Sequence, residues 1–173
     1  VQKESALSHN HNLSFSGGTD KSNYSASLNY LKKDGIMMQS SLERVIGRIS
    51  AEQHALNDHL TFGLNIMSSS SKSSNVPLQN MVFQQAVKYN PMSPVHNADG
   101  TFFENFNNPG YFNPVSIIKN AQDDTKYGSL QGNFTVEAKL PFNLTYNANL
   151  AYQRGTWLHG EYYNSYFSRN YST

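Results

Sequence analysis

Between Asn23 and Leu31 polar and apolar residues alternate: Tyr24, Ala26, Leu28 and Tyr30 fall on one parity, Asn23, Ser25, Ser27 and Asn29 on the other. A period of two is the mark of a strand with two chemically different faces. The same design returns at His59 to Met67, where Leu60, Phe62, Leu64 and Ile66 oppose Thr61, Gly63 and Asn65. It returns again at Leu130 to Ala138 and at Leu144 to Tyr152. Glu43 to Glu52 sets Val45, Gly47, Ile49 and Ala51 against Arg44, Arg48, Ser50 and Glu52, with Ile46 out of pattern, and Asn12 to Ser16 carries Leu13 and Phe15. These segments place strands at about 11–17, 22–33, 42–54, 59–69, 127–139 and 143–157 of one β-domain spanning 1–173.

The connections are unequal. Gly17-Gly18-Thr19-Asp20-Lys21, Leu56-Asn57-Asp58 and Leu140-Pro141-Phe142 are short and carry turn chemistry, which makes the flanking strands antiparallel hairpins. From Ser68 to about Thr125 the alternation gives way to a serine run, several prolines and Asn-rich aromatic clusters. A loop of about 75–126 is too long for an ordinary compact domain unless it is functional. Strands of about 9–11 residues or more, with tight turns at one end and a long loop at the other, are the plan of a transmembrane β-barrel. The expected fold is therefore all-β: antiparallel strands forming part of such a barrel, with one long extracellular loop. A soluble β-sandwich or a cell-surface solenoid shares the alternation and stays open.

Composition sharpens this picture. The 173 residues are 38% hydrophobic with a mean hydropathy of -0.59, and the uncharged stretches are too interrupted by Ser, Asn and Thr to form a membrane-crossing helix. Charged residues are only 14%, so the polar parity consists of Asn, Ser, Thr and Gln, as suits a wet lumen. A net charge of +1 provides no basic field for nucleic acid. Cysteine is absent, which excludes disulfides, thiolate metal sites and a cysteine nucleophile. Val1 to Ser8 carry Lys3 and Glu4 without an apolar core, so they do not read as a signal peptide; the chain is expected to be cytosolic or a mature or internal piece of a longer one.

Catalytic and cofactor motifs find no support: there is no Gly-rich phosphate loop before a helix and no Gly-x-Ser-x-Gly elbow. Asp123 and Asp124 are adjacent, so extended backbone points them to opposite sides and they form no catalytic pair. His9 and His11 share a strand parity as a metal pair would, but lack a visible third ligand and read as exposed histidines. The Asn-x-Ser/Thr strings at Asn12, Asn23, Asn133 and Asn143 follow from the strand alternation itself. On the polar parity, Arg44, Arg48, Asn65, Asn133, Glu137, Asn147 and Asn149 are expected to face the lumen, the two arginines either lining a path or pairing with a plug. In the long loop Phe102, Phe103, Phe106, Tyr111 and Phe112 sit among asparagines, a combination suited to sugar rings or peptides. Trp157, Tyr162, Tyr163, Tyr166 and Phe167 read as an aromatic girdle running into another loop.

Several strings resemble a known family. His11-Asn12-Leu13-Ser14-Phe15-Ser16-Gly17-Gly18, then Asn23 to Tyr30, Asp34-Gly35-Ile36, Glu43-Arg44 and Gly47-Arg48, in this order, resemble the start of the barrel in SusC/RagA-type TonB-dependent outer-membrane transporters of the Bacteroidetes. Val95-His96-Asn97-Ala98-Asp99-Gly100-Thr101 and Asn113-Pro114-Val115 resemble that family's first large extracellular loops. The resemblance implies early barrel strands of a Gram-negative outer-membrane importer of glycans or peptides. It also implies a SusD-like surface lipoprotein as partner, contact with outer-membrane lipid, and coupling to the TonB system through a plug. It implies no enzyme, no cofactor and no metal. Family members carry that plug and about 22 strands, neither of which this sequence supplies. The alternatives are a soluble adhesin or carbohydrate-binding β-domain and, more remotely, a hydrolase on a β-scaffold.

Overall fold

The computed structural model describes residues 1–105, 107–108 and 110–171. Six strands, β1 Ser8–Thr19, β2 Ser22–Asp34, β3 Ser41–Ala55, β4 Leu60–Asn75, β5 Ala121–Leu140 and β6 Leu144–Tyr163, form a single sheet in sequence order, every neighbour antiparallel. The sheet does not close; β1 and β6 are its edges. A second sheet is absent among the described residues, so nothing here builds a sandwich. Among the described residues no helix is long and apolar enough to cross a membrane.

Register carries the two-faced design across the whole sheet. Tyr24 stands opposite Ala51, Ala51 opposite Leu64, Leu64 opposite Phe134 and Phe134 opposite Leu150. One step along the strands, Asn23 aligns with Glu52, Gly63, Thr135 and Asn149. Tyr24, Leu28, Leu60, Phe62, Leu64, Phe134, Leu144 and Tyr146 thus share one face, and that face is bare: Phe15 is 65% exposed and Leu150 71%. So much apolar surface is stable only against another apolar medium.

The apolar band also climbs. It runs from Leu144 to Tyr152 on β6 but from Tyr24 to Tyr30 on β2, and Tyr24 is in register with Leu150. Strands tilted by about 40° and spaced ~4.8 Å apart shift a level line by about 4 Å along each successive strand. Across four strands that is about 16 Å, or two to three rows of alternate residues, which matches the climb.

Turn chemistry is local. Leu56, Asn57 and Asp58 all take left-handed backbone (φ 52, 54 and 63°), as do Phe142 and Asn143 (66 and 58°). Asn and Asp tolerate that region, and Leu56 and Phe142 adopt it at a cost set by the closure of the hairpins. With Asp20-Lys21 between β1 and β2, all three tight turns lie at one end of the sheet. The strands run further than alternation alone reveals, because β4 continues through Ser68–Ser74, where every side chain is a serine or a lysine, and β5 begins at Ala121.

At the opposite end the segment from 76 to 120 folds on itself. It holds α1 Gln79–Lys88 and α2 Pro114–Asn120, and a further helix α3, Ser165–Asn170, follows β6. The well-buried residues lie here and not under the sheet: Val82, Ile117 and Ile118 are fully enclosed, joined by Val76, Ala121, Phe167 and Tyr171. Val1, Met37 and Met38 pack against the same cluster, so the β2–β3 connection and the first residues are tied into it. Asn113 caps α2, accepting from the Val115 and Ser116 amides at 3.0 and 3.4 Å while its amide donates to the Val95 and Phe103 carbonyls. Gln85 joins α1 to the other wall, donating to Gly110 O and accepting from the Phe112 amide.

The Tyr171 hydroxyl donates to Glu104 and stands 2.5 Å from Ser116 Oγ. Burial first, then the hydrogen bond to Glu104, pushes its pKa well above 10.0. The folded insert therefore keeps a proton that an unfolded chain gives up, and Tyr171's contribution is complete below pH 10 and lost as pH rises beyond it. Insert stability should fall by about 1.4 kcal/mol per pH unit above pH 10. Tyr171→Phe should flatten that slope in hydrogen exchange of α2, and an unchanged slope would refute the assignment.

Candidate functional site

Alternation places Arg44, Arg48, Asn65, Asn133, Glu137, Asn147 and Asn149 on the parity opposite the apolar band, and register joins them: Asn65 pairs with Ser50 and Asn133, Glu137 with Thr61 and Asn147. Ser50 Oγ donates to Asn65 Oδ1 at 2.8 Å. This face lines a trough of about 810 Å³ that crosses all six strands, touched by Ser14, Ser25, Arg48, Asn65, Asn133 and Gln153. Arg44 Nε, a donor, and Asn133 Oδ1, an acceptor, are shielded and have no hydrogen-bond partner among the described residues. Polar atoms in that position call for water or a polar partner.

Towards the insert, the same parity turns aromatic. Trp157 is opposite Tyr127 in register, and Tyr127 is in turn opposite Ser71 and, beyond it, Arg44. Trp157, 68% exposed, stacks on His159 with centroids 5.8 Å apart. His159 Nε2 lies 2.9 Å from Asp123 Oδ1 and 3.8 Å from Glu161, and Asn75 donates to the same Asp123 oxygen at 2.9 Å. Asp123, His159 and Glu161 have one donor atom each within 4.8 Å of the others, a set able to approach a divalent cation, though here they pair among themselves and with Asn75. Asp123 and Asp124 indeed diverge, Asp123 to His159 and Asp124 to Ser74 and Lys72, and both lie in β5. His9 and His11 are T-stacked near Tyr30 at the β1 edge, with no acidic neighbour among the described residues close enough to complete a metal set.

The insert aromatics are used largely for packing. Tyr111 stacks on Tyr89 at 5.4 Å and 7°, Phe102 sits between His96 and Tyr166, and Phe112 meets Tyr171 edge-on. Phe103 is half-buried, and Phe106 lies outside the described residues. Burial raises the Tyr89 pKa, as it does that of Tyr166. What the insert leaves bare is α1, where Phe83 and Val87, one turn apart, are 44% and 88% exposed, with Met92 beyond them. Tyr166 and Phe167 pack in the insert instead of ringing the sheet, and Trp157 and Tyr163 fall on the polar parity. Sequence reading missed the Tyr127–Trp157 platform; the signal was available, because Trp157 has the odd numbering of Asn147 and Asn149 on the same strand.

A tilted antiparallel sheet with one bare apolar face, one polar trough, tight turns at one end and a folded insert at the other is a section of transmembrane β-barrel wall. No protein-family model matches the chain. It is 29% identical over 135 residues to TonB-dependent receptor P3 and 25% identical over 133 residues to TonB-dependent receptor P26, both of Formosa agariphila. These alignments take in 72% and 75% of the chain and 13% of each relative. The chain is therefore similar to a part of TonB-dependent receptors and spans about 13% of the length of the relatives it matches.

Proposed function

We propose that this segment belongs to an outer-membrane importer, not an enzyme, whose substrate is a neutral glycan or peptide. The observation that supports it most directly is the opposition of faces across one continuous sheet. A bare apolar face suits hydrocarbon, and the polar trough behind it suits a hydrated lumen in which Arg44, Arg48, Asn65, Asn133, Glu137, Asn147 and Asn149 meet water, substrate or a plug. With the tight turns periplasmic, as in bacterial barrels, the insert stands outside. Substrate then meets the insert and the Tyr127–Trp157 platform before it reaches the trough. Capture is the work of aromatic faces and amides, which recognise a ligand without charge. Release inward belongs to TonB acting on the plug. Phe102, Phe103, Tyr111 and Phe112 hold the insert in shape and offer ligand their remaining edges. A SusD-like lipoprotein is the partner this reading assigns to the insert, and the bare Phe83–Val87 face of α1 suits such a contact.

The experiment is uptake by cells carrying the full-length receptor. Trp157→Ala should lower affinity for the cognate nutrient about tenfold, the scale of one lost stacking contact with its buried area, with surface abundance unchanged. Removing 76–120 while keeping the strands should leave insertion intact and abolish uptake. Uptake at the normal rate after both changes would overturn the proposed route.

A further inference from the structure

Asn75, Asp123 and Glu161 form one register row across β4, β5 and β6, at the ends of these strands that adjoin the insert. All three stand on the polar parity, and so does His159, two residues before Glu161 on β6. Two carboxylates directly opposite each other on one face of a sheet repel. Among the described residues neither makes an ion pair with a lysine or arginine, and the basic group beside both is His159.

The three donors converge. His159 Nε2 is 2.9 Å from Asp123 Oδ1 and 3.8 Å from Glu161 Oε1, and the three ligand atoms all lie within 4.8 Å of one another. Zinc bonds of about 2.0–2.1 Å at a tetrahedral angle set neighbouring nitrogen and oxygen ligands about 3.3 Å apart, a spacing between those two distances. Each carboxylate is also held by a further partner: Asn75 Nδ2 donates to Asp123 Oδ1 at 2.9 Å, and the Tyr163 hydroxyl donates to the other oxygen of Glu161, Oε2, at 2.7 Å. Tyr163 packs on Phe167 of the insert core, with ring centroids 4.7 Å apart, and Trp157 stacks on the imidazole. Outer partners that fix the direction of each ligand accompany metal centres, whereas a surface ion pair has no need of them.

Donor chemistry selects the ion. Calcium takes about six to eight oxygens, and magnesium an octahedron of oxygens that includes several waters. One imidazole with two carboxylates suits zinc, which in open sites is held by three protein groups and a water.

We propose that His159, Asp123 and Glu161 bind a zinc ion at the root of the insert, with water as the fourth ligand. The ion cancels the repulsion between Asp123 and Glu161 and pins β6 to β5 where the insert rejoins the sheet. The family resemblance implies no metal, and the site rests on register and side-chain geometry, not on the importer reading.

The test uses the full-length receptor, purified in detergent and stripped with EDTA. Diethyl pyrocarbonate labels accessible imidazoles, and mass spectrometry reads each histidine-containing peptide separately. Zinc at ten times its dissociation constant should slow labelling of His159 about tenfold. Calcium at the same concentration should leave His159 reactive, and His96 in the insert should label at an unchanged rate. His159→Gln should remove one bound zinc per receptor, and Asn75→Ala should weaken zinc binding about 10–100-fold, the usual cost of losing a group that orients a ligand. Asp124→Asn, a carboxylate on the other face of β5, should change nothing. Equal labelling of His159 with and without zinc would overturn the proposal on the wild-type protein alone, as would protection by calcium equal to that by zinc. Loss of the ion in Asp124→Asn as well would assign binding to general surface charge and overturn it too. Heat-modifiable migration in gels confirms that each variant is folded. Failed nutrient uptake with zinc binding intact counts against the importer reading only.

Discussion

Arginine in place of Leu64 destabilises the membrane-inserted barrel by about 2–4 kcal/mol, and arginine in place of Asn65, one residue on, costs less than about 1 kcal/mol. Leu64 is set between Ala51 and Phe134 in the middle rows of the apolar band, so a guanidinium there must either stay in hydrocarbon or drag water to it. Asn65 is held between Ser50 and Asn133 over the trough, where a longer cation meets a hydrated, hydrogen-bonding wall. Folding of the full-length protein into vesicles across a urea series measures both. Because a slip of one residue exchanges every side chain between faces, a larger cost at Asn65 than at Leu64 would mean that the register is inverted throughout the sheet.

Ile117→Ala should cost the insert about 2–5 kcal/mol while leaving the sheet in place. Ile117 is fully enclosed, on a helix whose cap, Asn113, is tied to two other stretches of the insert. The surrounding cluster draws on α1, α2, α3 and the β2–β3 connection, elements that cannot all move together to fill a lost side chain, so the cavity persists. Limited trypsin digestion after Lys88 and Lys119 reads the effect: cleavage should become rapid in the variant, with the heat-modifiable barrel band unchanged. Loss of that band as well would show that the insert and the sheet fold as one cooperative unit.

The strands were legible because each carries its own information. Leu60 to Ile66 alternate whether or not β5 is known, and Leu144 to Tyr152 alternate without reference to Phe134. The reach of β4 through Ser68–Ser74 was not legible, since a run of like side chains has no period, and its ladder to β5 comes from partners some fifty residues away. The helices of the insert escaped for a similar reason. α1 has no side-chain cap and starts from Leu78 in left-handed backbone, and its buried residues, Val82 and Gln85, are chosen by contacts with α2 and Gly110. Among the candidate residues, Arg48, Asn65 and Asn133 followed from strand parity alone. The roles of Phe102, Tyr111 and Phe112 depended on His96, Tyr89 and Tyr171, none of them a neighbour in sequence.

By itself the sequence determined the two-faced strands, their antiparallel order and the end at which each turn is tight, because parity and turn residues act over a few positions of backbone geometry. The tertiary structure alone decided that the loop is a folded insert with the molecule's buried core, and that Trp157 and Tyr127 stand opposite each other on neighbouring strands. Those outcomes are set by register and packing between distant segments, whose free energy exists only when both partners are in place.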